Sequence, residues 1–157
     1  MKILLLAGLL LLTACAARAP LPETTPALSR PLPLYLQVSA SDGQDALLVI
    51  QDEGQALRLS LFDPLGVPQA RQSLQAGRWH NDGLLPPNPQ ARELFAALLF
   101  AFTADAQLAS SYAKQDWSRE PQGRRLGAWQ IRYGAQQVIE LDNGTLHYRV
   151  SPVEMQP

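Results

Sequence analysis

The chain has 157 residues, 13 basic and 14 acidic side chains, a formal charge of −1 and a mean hydropathy of −0.09. This length suits one domain large enough to bury a real core. No basic stripe argues for nucleic acid, and no apolar stretch is long enough for a transmembrane helix.

Met1 to Cys15 has the layout of a secretory signal: Lys2 at the positive end, the apolar run Ile3 to Leu12, then small residues. Its end, Leu12-Thr13-Ala14-Cys15, resembles the bacterial lipobox, in which the cysteine is acylated and becomes the first mature residue. The alternative is an ordinary signal with an incidental cysteine. Cys15 is the only cysteine, so no intramolecular disulfide can form, and lipidation gives an exported thiol a use. Ala16 follows it where an aspartate would signal inner-membrane retention, so the resemblance implies the periplasmic face of the outer membrane. Residues 15–33 are expected to be the lipidated cysteine and a tether. Five prolines, at 20, 22, 26, 31 and 33, stand among small and polar residues, the composition of an extended stalk.

Residues 34–157 are expected to form the folded domain. Leu34, Leu36 and Val38 alternate with polar residues, as in a strand with one buried face. After the turn residues Ser41-Asp42-Gly43, the run Ala46 to Ile50 reads as a more buried strand. Leu57, Leu59 and Leu61 follow a turn at Glu53-Gly54, completing a meander. Arg71 to His80 reads as one further, weaker strand. Asn88 and Pro89 then form a helix start, and the residues from Ala91 to Phe102 are apolar on almost every side, which requires cover on more than one face. A second helix is expected over Ala104 to Gln115 from the spacing of Leu108 and Tyr112. Strands return at Trp129 to Tyr133 and in a hairpin, Val138 to Leu141 and Leu146 to Val150, around Asp142-Asn143-Gly144. Strands, helices, strands in that order predict an α+β fold: a curved antiparallel sheet, an incomplete barrel, with one or two helices as lid or plug.

Residues for catalysis are scarce. His80 and His147 stand far apart, the thiol is expected to be blocked by lipid, and no nucleophile elbow, zinc-protease motif or phosphate loop is present. No enzymatic activity, cofactor or metal is therefore expected. Asp42, Asp45, Asp52 and Glu53 resemble a carboxylate cluster, but their spacing fits two turns of a meander. Asp63-Pro64-Leu65-Gly66 suits a type I turn with Leu65 at its tip, where an aliphatic side chain has no obvious core to enter.

Leu57 to Gly66 resembles the strand and N-P-L-G loop of LolB, the outer-membrane receptor that accepts lipoproteins from the carrier LolA. Ile139 to Gly144 is similar to the closing hairpin of that family. Leu85-Pro86-Pro87, Arg125-Leu126 and Trp129 to Tyr133 resemble the DUF3261 lipoproteins, thought to share this fold. The resemblance implies an incomplete barrel with a helical lid, whose apolar interior holds acyl chains of a client. It implies a membrane- or client-insertion loop at Asp63, Pro64, Leu65 and Gly66, with Leu65 protruding. Asp63 stands where the family has asparagine. Candidate cavity-lining residues, from periodicity, are Leu36, Leu48, Ile50, Leu59, Leu94, Leu98, Phe102, Trp129 and Tyr148. The expected partners are the membrane, through the lipid anchor, and a LolA-like carrier or an amphiphilic ligand; a monomer that binds no nucleic acid is expected. The resemblance leaves open whether the amphiphile is a lipoprotein or, as in relatives associated with aryl polyene clusters, another molecule. Two alternatives stand beside the acyl-chain binder: an assembly lipoprotein whose helix plugs the sheet, and a hydrolase with a dispersed site.

Overall fold

Alternating apolar residues and glycine-bearing turns build most of the sheet. The computed structural model describes residues 18–153; the signal segment, Cys15 and the last four residues lie outside it. Five strands come first: β1 (Leu34–Ala40), β2 (Asp45–Asp52), β3 (Leu57–Phe62), β4 (Pro68–Gln75) and β5 (Arg78–Asn81). Two helices follow, α1 (Pro89–Phe102) and the single turn α2 (Leu108–Ser111). The remaining strands are β6 (Trp117–Glu120), β7 (Gly123–Leu126), β8 (Trp129–Tyr133), β9 (Ile139–Asp142) and β10 (His147–Pro152).

All ten strands form one antiparallel sheet in the order β5-β4-β3-β2-β1-β10-β9-β8-β7-β6. It does not close, so β5 and β6 are its edges, and the fold is α+β. The long-range pairing of β1 with β10, Val38 opposite Val150 and Ala40 opposite Tyr148, joins two meanders that α1 separates in sequence. Laid flat, ten strands would span roughly 43 Å at about 4.8 Å per step. Yet Trp79 of β5 meets Phe95 of α1 at 6.1 Å, and Trp117 of β6 meets Phe100 of the same helix at 6.2 Å. One helix about 10–12 Å thick touches both edges only if the sheet curls around it.

α1 explains the curl. Asn88 caps it, its side-chain oxygen accepting from the Ala91 amide at 3.0 Å, and Pro89 fills the first turn. Every residue from Leu94 to Phe102 is buried. A helix apolar all round needs walls on all sides, and Leu36, Leu48, Ile50, Leu59, Ile131 and Leu141 supply part of them within one continuous core.

Two local expectations are corrected, and two strands went unread. Arg71 to His80 is not one strand but the β4–β5 hairpin, turning at Ala76 (φ 48°) and Gly77 (φ 72°). Its signal is hidden because alanine is an unusual turn residue. The helix expected over Ala104 to Gln115 is broken: only Leu108–Ser111 is α-helical, and the chain is extended at Tyr112. Leu108 and Tyr112 keep helical spacing because both reach the core, Tyr112 edge-on to Phe100 at 5.0 Å. β6 and β7, rich in arginine and with little alternation, had no sequence signature.

The tether is corrected as well. From Ala19 on, the proline-rich segment lies along the fold. The Ala19 amide donates to both carboxylate oxygens of Glu93 on α1, each at 3.1 Å. The Glu23 amide donates to the Ser111 carbonyl at 2.7 Å, and the Ser29 amide to the Phe102 carbonyl at 2.7 Å. Leu28 forms a bridge with Thr103, and Pro22 and Pro26 are buried. Prolines cannot extend a sheet, but they pack as small apolar rings, and this strap uses them so.

Candidate functional site

The β1–β2 turn, the β3–β4 turn and the start of α1 meet at one end of the concavity and leave a cleft of about 520 Å³. Val38, Ala40, Ala46, Leu61, Leu94 and Tyr148 give it apolar walls; Asp42, Asp45, Asp63, Gln69, Asn88 and Gln90 supply its polar groups. Its size falls in the range of about 300–1,000 Å³ typical of small-molecule sites.

The polar groups are largely held by the fold. Asp63 accepts from the Leu65 and Val67 amides at 2.9 and 2.8 Å, while the Gly66 amide donates to the Asp63 carbonyl at 2.9 Å, closing the expected four-residue turn. Asp45 accepts from Ser39 Oγ at 2.6 Å and Asp42 from the Gln44 amide at 3.1 Å. Gln90 Nε2 donates to Tyr148 Oη at 3.1 Å. Burial raises the Tyr148 phenol above its ordinary value, against the lesser pull of that Gln90 contact, so the ring stays neutral at the cleft wall.

All nine residues expected to line a cavity are buried core residues. Leu94 and Tyr148 also border the cleft. Leu36, Leu48, Ile50, Leu59, Leu98, Phe102 and Trp129 are each no more than 2% exposed and share the core with α1. The helix stands where the sequence left room for an open interior. Leu65, at the tip of its turn beside the cleft, is 89% exposed, and Val67 is 51% exposed. Cys15 lies outside the described residues. Asp42 and Asp45 sit at one end of β2, Asp52 and Glu53 at the other. His147 faces Asp142 at 3.5 Å at a half-exposed hairpin, and His80 is exposed.

Two polar residues near α1 carried no sequence signal. Glu93 receives the Ala19 amide and also Trp129 Nε1 at 3.3 Å, and the Trp129 ring stacks on Tyr148 at 6.3 Å. Arg124, on β7, donates to the carbonyls of Phe100 at 3.0 Å and Thr103 at 2.9 Å, and pairs with Asp105 at 2.9 Å. Tyr133 Oη adds a bond to the Ala101 carbonyl at 2.7 Å. The acceptors lie nineteen or more residues from both donors in sequence, and only the folded sheet brings them together.

The chain matches no family model, no curated protein and no solved structure.

Proposed function

We propose that this is a lipid-anchored protein of the outer membrane's periplasmic face that binds an acyl chain, of a lipoprotein or another amphiphile, in the cleft at the start of α1. The cleft carries this reading: it joins apolar walls to a polar rim and lies beside a turn that holds Leu65 in solvent. Acyl methylenes gain about 25 cal/mol per Å² on leaving water and need no directional chemistry, so a binder requires such a space and no catalytic groups. The N-P-L-G-like turn and the half-barrel resemblance to LolB supply the transfer step, with Leu65 meeting the membrane or the client and a LolA-like carrier as donor. Because α1 fills the interior, the ligand is confined to one tail near Leu94 and Tyr148.

The test is saturable uptake of a fluorescent fatty acid by the purified protein, compared with Leu94→Trp, which fills the cleft. About tenfold weaker uptake by the folded variant supports the reading; no uptake by the unaltered protein, or equal uptake by both, overturns it. The buried helix favours a second reading, an assembly lipoprotein working through protein contacts. Recovery of one stoichiometric protein partner with no co-purifying lipid would select it.

A further inference from the structure

We infer that the surface around Ala19 and Pro20 is a foot held against the lipid bilayer, so that the domain is seated close to its membrane in one orientation rather than carried on a stalk. The inference rests on acylation of Cys15, part of the reading proposed above.

The strap is docked from its first turn. Beyond the paired Glu93 contacts at Ala19, the Pro20 ring lies so close to Gly127 that a β-carbon there would stand 3.1 Å from its Cδ. Two residues on, the Pro22 carbonyl crowds Gly77, where a β-carbon would meet it at 3.0 Å. These contacts hold the strap against the β7–β8 turn, the β4–β5 turn and α1 together.

Ala19 is four residues from Cys15, and four residues reach at most about 14 Å. A globule of this size is roughly 35 Å across. A leash shorter than half that width cannot let the far side of the domain turn to the membrane, so the docked end of the strap must face it. Charge is consistent with a lipid partner. Arg18 and Arg78 are exposed beside Ala19 and Gly77, neither makes an ion pair among the described residues, and each such cation favours an anionic leaflet. Glu23 is the single carboxylate between residues 18 and 33.

The experiment uses the full acylated protein in vesicles of phosphatidylethanolamine and phosphatidylglycerol that carry a headgroup nitroxide quencher. Ala128→Cys, exposed beside Gly127, takes a thiol-reactive fluorophore, because acylation leaves Cys15 unreactive. Expected is quenching about threefold stronger at native tether length than after insertion of about twelve glycine and serine residues between Arg18 and Ala19. Glu93→Ala, which frees the strap, should lower quenching in the same direction. Equal quenching with and without the insertion, whether strong or absent, overturns the inference while leaving the cleft reading intact. A mass spectrum showing Cys15 without acyl groups overturns the anchor itself, and with it both readings of the membrane side.

Discussion

Removing the Arg124 guanidinium would strand carbonyls at the end of α1 that have few other donors. The last turn contains no basic residue, so the cation that complements its negative end comes from β7. With a side chain only 11% exposed, Arg124 also lies over the Phe100 and Tyr133 rings, at 5.8 and 5.6 Å. Arg124→Ala should therefore cost about 2–4 kcal/mol in urea unfolding, the scale of several buried acceptors losing a charged donor. Arg124→Lys should recover only part, because one ammonium cannot span acceptors that a planar fork reaches together. Leu65 is the opposite case. Its side chain is in solvent, and the turn is held by Asp63 and Gly66, so Leu65→Glu should change stability by less than about 0.5 kcal/mol. If the loop meets membrane or client, the same variant should reduce vesicle contact measured by co-sedimentation. A matching loss of stability would mean that Leu65 is packed.

Among the elements, β7 shows how tightly the second meander is built. Gly123 pairs with Arg132, and a β-carbon on it would fall 1.8 Å from the Ile131 carbonyl oxygen, which is backbone and cannot swing away. Gly123→Ala should destabilise by about 1–3 kcal/mol, with faster amide exchange confined at first to β7 and β8. Unchanged exchange there would show that the strands separate freely. This glycine was illegible in the sequence because the demand on it comes from the neighbouring strand. By contrast, β1, β3 and β10 were readable from alternation, and β2 from a continuous apolar run whose Leu48, Val49 and Ile50 are all buried. The turn at Asp142-Asn143-Gly144 was readable from side chains that bond their own backbone, with Asn143 accepting from Thr145 and Leu146. α1 was readable for the same reason that its role was not: a helix apolar all round announces burial but not whether it lines a cavity or fills it. The cleft was half legible. Leu94 and Tyr148 were named from periodicity, whereas the contribution of the β1–β2 turn depends on where the sheet curls.

At the scale of the whole molecule, the tyrosines link the helix to the sheet. Tyr112 packs on Phe100 beside α2, Tyr133 on β8 binds the end of α1, and Tyr148 on β10 holds Gln90 at its start. Burial raises all three phenols above their ordinary value, with Arg124 only partly offsetting this at Tyr112 and Tyr133. A phenol that keeps its proton longer in the folded chain than in the unfolded one contributes stability that is complete below the unfolded pKa of about 10. Above that pH the unfolded chain releases the proton and the native chain does not, so stability falls as pH rises toward the folded values, by up to about 1.4 kcal/mol per unit for each group. Loss of far-ultraviolet dichroism should then coincide with the rise in tyrosinate absorbance at high pH, in one cooperative step. Smooth ionisation of these three rings with the dichroism intact would mean that water already reaches them. Because they hold α1 at both ends, Tyr133 and Tyr148 from the β6–β10 half of the sheet and Tyr112 from the segment after α2, such access would require a helix that leaves its seat, and hence an interior able to open for a larger ligand than the cleft admits.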